Sequence, residues 1–193
     1  MDIKLKDALT GRRSIRRFKQ KDVSESEITD IIDMARLSAS AGNAQPLRYV
    51  VVRSNSLVKS VFDNVAWAAY IKPLRTPKWG VSAPRCFIAV TAPAGFSNMA
   101  FADAGAAIQS LMLAAHGKGL GACWIGAFDR SKIDELLAMP NNRQVIFLVA
   151  LGYPDENPVS QNIAANESIK YYLDEKDCLH VPKIRTADLI EWL

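Results

Sequence analysis

The sequence predicts an α+β fold in which a central sheet packs against one large buried helix. Residues 145–151 form a continuous apolar run, which is typical of a strand covered on both faces. Residues 103–118 carry apolar side chains at helical spacing with alanines on the other faces, which predicts a helix buried nearly all round. A chain of 193 residues, 49% of them hydrophobic, can bury such a core without disulfides. No repeat or linker divides it, so we expect a single domain over residues 1–193.

The N-terminal half has the signals of helices and strands in alternation. Ser24 and Glu27 have the spacing of a capping box, and the apolar spacing that follows predicts a helix to about residue 38. Residues 48–52 are β-branched and bounded by turn residues, which predicts a strand with a second helix after it. Residues 70–84 contain three prolines and predict an irregular excursion.

The C-terminal half begins with a strand and ends in a long tail. The signals predict, in order, a strand at 86–91, an end of the long helix at Gly119 and Gly121, a strand at 122–125 and a short helix capped by Asp129. The tail, residues 157–193, is polar and predicts irregular structure until a last helix near Thr186. A tail this long must pack on something, and a partner subunit is one candidate.

Composition and charge restrict the location and the ligands. The three cysteines Cys86, Cys123 and Cys178 are widely spaced without a C-x-x-C pair, which is typical of a reducing compartment. Residues 1–4 lack the features of a signal peptide, and no apolar run reaches the length of a membrane span. We therefore expect a cytoplasmic protein without a membrane partner. Residues 11–21 hold six cations and no carboxylate, which indicates a small anion such as phosphate rather than nucleic acid.

The sequence lacks the motifs of most reactions that side chains catalyse without a cofactor. Residues 117–122 match a loose dinucleotide fingerprint, but they follow a helix instead of opening one, so they indicate a helix end. Cys178 and His180 could contact one metal ion, yet two ligands do not make a tetrahedral site, and we predict a turn of the tail and no metal. His116 is the other histidine of the chain. With so few acid–base groups, any chemistry should come from a cofactor.

Three short elements remain as candidates for binding. Residues 11–18 place four arginines and a serine together, which suits phosphate, although a solvated loop is the alternative. Residues 38–46 are small and polar and would let a flat ligand approach the backbone, unless they are only a helix end with Asn43 left-handed. Residues 121–128 bracket a glycine with two aromatic side chains, which a buried strand end would also explain.

Together the three elements resemble the nitroreductase family of FMN-dependent flavoproteins. The resemblance rests on Arg-Arg-Ser-Ile-Arg-Arg-Phe at 12–18, on the segment 39–52 with Asn-Ala-Gln-Pro before a strand, on the helix from 103 and the strand after it to 126, and on the basic pair Lys183 and Arg185. The resemblance implies a central, mostly antiparallel sheet flanked by helices, with the C-terminal tail exchanged in a homodimer. It also implies two FMN sites at the subunit interface, each built from both chains.

Site residues follow from the resemblance position by position. Those implied to bind the cofactor are Arg12, Arg13, Ser14, Lys183 and Arg185 around the phosphate, Arg16 near N1 and O2 of the ring, Ser40, Asn43 and Gln45 of the polar loop, and Trp124, Ile125 and Gly126 beside the ring. Chemistry is expected at flavin N5, so no side chain is expected to be catalytic in itself. Either the excursion at 70–79 or the tail at 157–182 is expected to cover the flavin.

The activity implied is hydride transfer from NAD(P)H to flavin and then to a nitroaromatic, quinone or similar acceptor in a ping-pong order. Two alternatives stay open at this point. One is other flavin chemistry of the same family, such as reductive dehalogenation or cleavage of the flavin. The other is a non-catalytic flavin-binding protein.

Overall fold

The computed structural model describes residues 4–193, and most of the N-terminal segment considered for a signal peptide, residues 1–3, lies outside them. The helices are α1 (Leu5–Gly11), α2 (Glu25–Ala35), α3 (Asn55–Asp63), α4 (Met99–Gly117) and α5 (Arg130–Leu136). The strands are β1 (Arg48–Val52), β2 (Cys86–Pro93), β3 (Gly121–Ile125), β4 (Arg143–Gly152), β5 (Val159–Ile163), β6 (Tyr172–Leu173) and β7 (Leu179–Ile184). Within residues 4–193, no helix combines the length and the apolar character needed to cross a membrane.

The central sheet has four strands in the order β1-β2-β4-β3, and every neighbouring pair is antiparallel. Helices α2 and α4 pack on one face, where Ile108 and Leu111 meet Ile88. Helices α3 and α5 pack on the other face, where Val61 and Ile133 contribute to the core. Strand β4 is therefore covered on both sides, as its apolar run predicts, and the α+β class with a mostly antiparallel sheet is confirmed.

Helix α4 begins at Met99, four residues before the predicted start at Asp103. Its buried stripe is the one expected from the sequence, but the prediction of burial all round is wrong for the single chain. Ala102 and Ala106 are exposed, and Phe101 is only partly covered by Phe96 and Phe147. Alanine is compatible with a buried face and with an exposed one, so composition could not decide between them.

The tail contains more regular structure than its polarity predicts. Strands β5, β7 and β6 form a second sheet in that order, with β5 parallel and β6 antiparallel to β7. The expected last helix is a single 3₁₀ turn, Thr186–Asp188. The sheet escaped sequence reading because its strands are short and bury few apolar side chains, among them Ile163 and Leu179, so no alternation is visible.

The structure confirms the helix ends that capping residues and Gly119 predict. Ser24 forms both bonds of the capping box, since its Oγ accepts the N–H of Glu27 at 3.2 Å and its own N–H donates to Glu27 Oε2 at 2.9 Å. Asp129 accepts the N–H of Lys132 at 3.1 Å and begins α5. Gly119, with φ +74°, ends α4 as expected. Gly121 does not end the helix but is the first residue of β3.

Candidate functional site

The arginine segment, residues 12–18, runs along the outer strand β3 and then past the end of β4. Ser14 forms a parallel bridge with Ala122, and the N–H of Ile15 donates to the carbonyl of Ala122 at 3.0 Å. Phe18 forms a second, antiparallel bridge with Pro154. The segment therefore behaves as a short additional edge strand, which gives its side chains fixed directions.

Two glycines make room for this segment. Gly121 and Gly152 face each other across β3 and β4. A Cβ at Gly121 would lie 2.8 Å from the Cβ of Ile15, and one at Gly152 would lie 2.9 Å from Cδ1 of Phe18. Such contacts are far below van der Waals distance, so the glycine pair is what allows the arginine segment to lie against the sheet.

Arg12 is a half-buried cation that forms no ion pair with any carboxylate of residues 4–193. Burial, and secondarily the neighbouring Arg13, lowers the pKa of Arg12. Its Nε is buried and has no hydrogen-bond partner within residues 4–193. Arg13 Nε is likewise unpaired within residues 4–193, but its two terminal nitrogens donate to the carbonyl oxygens of Arg12 and Thr10 at the end of α1. A buried donor without an acceptor is costly, so an anion beside Arg12 would be bound favourably.

Glu156 belongs to this region and was not found by sequence reading. Its Oε1 accepts the backbone N–H of Arg16 at 2.5 Å and that of Arg17 at 3.1 Å. The carboxylate thereby fixes the backbone from which Arg16 extends. The two positions are 140 residues apart in the chain, and no local motif marks such a pairing. The one signal in the sequence was that Glu156 is a carboxylate shortly after the apolar run that predicts a strand at 145–151.

One cavity brings together four of the predicted residues. Arg16, Trp124, Ile125 and Gly126 all line it, and Trp67 lines it too. The indole N–H of Trp67 is buried and lacks an acceptor among the residues that the structure describes. Cys123 also lines the cavity, but burial raises the pKa of its thiol, so it stays neutral. The cavity thus offers a cation and aromatic side chains to a ligand.

The tail lines the cavity through Tyr171, and the excursion contacts the tail beside it. The guanidinium of Arg16 lies 5.1 Å from the ring centre of Tyr171 in the tail, within cation–π distance. Tyr70 of the excursion packs edge-on against Tyr171, with ring centres 5.0 Å apart. A second contact joins the two segments, because Arg75 of the excursion, only 4% exposed, lies 3.2 Å from Oδ1 of Asp177 in the tail. The excursion and the tail therefore form one interlocked cover.

The polar loop at residues 38–46 lies elsewhere, against α4. Its backbone is fixed by the buried Asp103, whose carboxylate accepts the N–H of Ala41 at 2.9 Å. Ser40 Oγ accepts the N–H of Gln45 at 3.1 Å, and Asn43 is left-handed with φ +53°. The side-chain amides of Asn43 and Gln45 contact each other at 3.1 Å and are exposed to solvent. They do not share the cavity of Arg16 within the described chain.

The basic pair of the tail is also separate from the arginine segment in the single chain. Lys183 is exposed on β7. Arg185 follows that strand, and its Nε donates to Asp188 Oδ2 at 2.9 Å. Neither residue lines the cavities at Arg12 or Arg16 in the part of the chain that the structure describes. Their assignment to a phosphate stays a prediction.

An α+β fold with an arginine-rich segment on the edge strand and an aromatic-lined cavity beside it is suited to binding a small anionic ligand. A family model described as the Nitroreductase family matches residues 9–153, and the chain belongs to this family.

Individual relatives agree with this membership. A protein of Archaeoglobus fulgidus, provisionally named an NADH dehydrogenase/NAD(P)H nitroreductase, is 30% identical over 149 residues, which cover 75% of this chain and 82% of that protein. An NADPH-flavin oxidoreductase of Vibrio harveyi is 27% identical over 79% of this chain and 66% of its own length. The solved structure of an FMN- and NADPH-dependent nitroreductase from Sphingopyxis has a TM-score of 0.71 at 18% identity, covering 98% of this chain and 99% of that one.

Proposed function

We propose that this protein is an FMN-dependent oxidoreductase that passes hydride from NAD(P)H to nitroaromatic, quinone or similar acceptors. The observation that carries the proposal is the juxtaposition of Arg12, a half-buried cation without an anion, with the cavity that Arg16 and Trp124 line on the same edge of the sheet. A terminal phosphate would supply the anion for Arg12, and a flat ring would fill the cavity that Arg16 and Trp124 line. Family membership and the flavin named for the Vibrio relative support the same cofactor.

Successive residues of the arginine segment would contact successive parts of FMN, from the phosphate to the ring. Arg12, Ser14 and Arg16 are alternate residues of this extended segment. Ile15, between them, is buried against the sheet. Arg12 and Ser14 would hold the phosphate, Arg16 would face the pyrimidine edge, and Trp124 to Gly126 would border the ring. When bound, FMN supplies hydride acceptance and donation at N5.

The protein's own contribution is position and electrostatics. The backbone N–H of Arg16 donates to Glu156, and this bond fixes the position from which the guanidinium of Arg16 reaches the cavity wall. Tyr171 lies beside Arg16 on that wall and is itself supported by Tyr70. NAD(P)H and the acceptor would use this one space in turn, which is why we infer a ping-pong order. The neutral Cys123 thiol is not suited to act as a base there.

The full site requires a second chain in this proposal. Ser40, Asn43 and Gln45 lie on a loop against α4, away from the cavity of Arg16. Lys183 lies on β7 of the second sheet, and Arg185 directly follows that strand. We infer that a homodimer brings one chain's loop and basic pair to the partner's arginine segment, with the tail exchanged between subunits. The exposed small-residue face of α4 supports this arrangement. The whole chain would then act as one FMN-binding domain in the cytoplasm.

The decisive experiment is reduction of the purified yellow protein followed by a panel of acceptors. Mass spectrometry of the released cofactor should find FMN, and stopped-flow mixing with NADH or NADPH should bleach it before nitroaromatic or quinone acceptors restore the colour. Bleaching without reoxidation by any acceptor would instead favour other flavin chemistry. A protein that either nucleotide reduces at no useful rate would be a flavin-binding protein only, and FAD or no flavin would contradict the cofactor assignment.

A further inference from the structure

The turn between β6 and β7 gathers three donor side chains of types that bind transition metals. Asp174, Cys178 and His180 place a carboxylate oxygen, a thiol sulfur and an imidazole nitrogen within 4.8 Å of one another. The nearest pair, Asp174 Oδ2 and His180 Nε2, is 2.9 Å apart. The sequence showed Cys178 and His180 as a possible pair, and the folded turn adds Asp174 as the third donor.

The backbone of this turn is held independently of any ligand. Asp174 Oδ1 accepts the N–H of Lys176 at 3.0 Å and that of Cys178 at 2.8 Å. The N–H of Asp174 in turn donates to the carbonyl of Cys178 at 3.1 Å. Because Oδ1 accepts the backbone hydrogen bonds of the turn, Oδ2 is the oxygen that contacts His180. The donors therefore need little reorganisation to meet one ion.

Strand geometry explains why the sulfur and the imidazole share a side. Leu179 is 2% exposed and points into the core, so its neighbours Cys178 and His180 leave the strand on the opposite face. The ring of His180 stacks on Tyr172 of β6 at 5.0 Å and 8°. That stack fixes the plane of the imidazole while Nε2 stays directed at Asp174.

We propose that Asp174, Cys178 and His180 form a binding site for a divalent ion of the zinc class. One sulfur, one nitrogen and one oxygen suit Zn²⁺ or Co²⁺, whereas Mg²⁺ and Ca²⁺ require oxygen ligands. On binding, the Cys178 thiol gives its proton to solvent, and the imidazole of His180 gives up the Nε2 proton that it shares with Asp174 and is protonated on Nδ1 instead. The thiolate and the carboxylate together balance the two charges of the ion. Water completes a tetrahedral set. Hydrogen bonds account for the Asp174–His180 pair and for the backbone of Cys178, and the proposal rests on the Cys178 sulfur lying within 4.8 Å of both other donor atoms.

The site would fasten the cover of the cavity. Asp177 lies in the same turn, and its carboxylate is 3.2 Å from the buried Arg75 and 3.9 Å from Arg17. A metal ion at the turn would hold Asp177 in place, and with it the contact between the tail and the excursion. Binding to the folded state alone also stabilises that state in proportion to the logarithm of the metal concentration.

The test uses Co²⁺ as a spectroscopic probe on the full-length, flavin-loaded protein after chelator treatment. One equivalent should produce intense d–d bands at longer wavelengths than oxidised flavin absorbs, which is the signature of tetrahedral coordination, and Zn²⁺ should abolish them. Cys178→Ser and His180→Gln should each weaken binding at least about 10-fold. Glu175→Gln removes an exposed carboxylate of the same turn and should leave the titration unchanged.

The flavin spectrum and far-ultraviolet circular dichroism show that each variant is folded. Wild-type protein without tetrahedral bands, or the same bands and affinity in Cys178→Ser, would overturn the proposal. Loss of binding in Glu175→Gln to the same extent as in Cys178→Ser would also contradict it, because the ion would then be held by the charge of the turn. The assay measures metal binding directly, so its outcome does not depend on the proposed activity.

Discussion

Arg12 and Arg16 belong to the same segment, but they line different cavities. Arg12 directly follows the exposed C-terminal end of α1, and its buried Nε has no partner among residues 4–193. Arg16 lines the cavity, 5.1 Å from the ring of Tyr171. A cation at the cavity would interact more strongly with a reduced, negatively charged ring than with an oxidised one, whereas a cation at Arg12 would act on the phosphate in both states. The two residues should therefore affect different measurements.

We predict that Arg16→Ala lowers the midpoint potential of the bound flavin by roughly 30–60 mV, because a charge-assisted hydrogen bond contributes about 1.5–3 kcal/mol. Arg16→Lys should lower it less. Spectroelectrochemical titration measures the shift. Arg12→Ala is the matched variant and should weaken FMN retention while leaving the potential of retained flavin nearly unchanged. If Arg16→Ala loses FMN and keeps the potential, Arg16 serves the phosphate and the division of roles is wrong.

Glu27 gives α2 a pH-dependent contribution to stability. Its pKa is lowered chiefly by the hydrogen bonds from Ser24, with a further bond from Tyr153 at 2.9 Å. A carboxylate with a lowered folded-state pKa stabilises the protein above its unfolded-state pKa and loses that effect as the pH falls through the folded-state pKa.

We therefore expect Glu27→Gln to lower the Tm at neutral pH and to converge with wild type in acid. Thermal unfolding followed by circular dichroism between neutral and acidic pH tests this. Glu25→Gln is the control, since Glu25 makes only an exposed ion pair with Arg53 at 3.7 Å, and such pairs contribute little. A constant difference between wild type and Glu27→Gln at every pH would contradict the assignment.

At the scale of elements, the position of the arginine segment depends on the glycine pair of β3 and β4. A side chain at Gly121 would push Ile15 outward, and Ile15 lies between Ser14 and Arg16. The segment cannot retreat without losing its bonds to Ala122 and Glu156. Sheet packing and cofactor binding are therefore linked through one small residue.

We predict that Gly121→Ala destabilises the protein by about 1–3 kcal/mol, as overpacking does, and weakens FMN binding. Denaturant unfolding and flavin titration measure the two effects. Gly105→Ala in α4 is the control, because its Cβ would be 3.6 Å from Trp124 Cη2, an ordinary contact, and alanine favours a helix. Equal behaviour of the two variants would show that the contact with Ile15 does not position the segment.

At the scale of the whole molecule, two surfaces are incomplete in a single chain. The face of α4 with Ala102 and Ala106 is exposed, and the polar loop presents Asn43 and Gln45 to solvent. In our proposal both are covered by the second subunit. Obligate interfaces usually bury more than about 2,000 Å² in total.

We accordingly expect light scattering at micromolar concentration to find a dimer, and Ala106→Glu to give monomers that lose FMN, since a charge would be buried in an apolar interface. Lys132→Glu on α5, against the other face of the central sheet, is the control and should remain dimeric. A wild-type monomer that keeps its flavin would contradict the two-chain site.

Several features were readable from the sequence because they depend on neighbours within a turn or on periodicity. The capping box of Ser24, the cap at Asp129 and the apolar run of β4 are of this kind, and each lies where it was expected. The second sheet was missed because β5 to β7 have too few buried side chains to show a period. Gly121 was misread as a helix end because a glycine's need for space is visible only once Ile15 lies against it.

The sequence by itself determined the class of fold, the family and the segment that carries the arginines, since all three follow from short contiguous patterns. Only the tertiary structure decided how Glu156 holds Arg16, how Tyr70 and Tyr171 meet over the cavity, and which donor joins Cys178 and His180. The first two contacts join residues 140 and 101 positions apart. Their partners are chosen by the closure of the whole chain, and no local propensity encodes that choice.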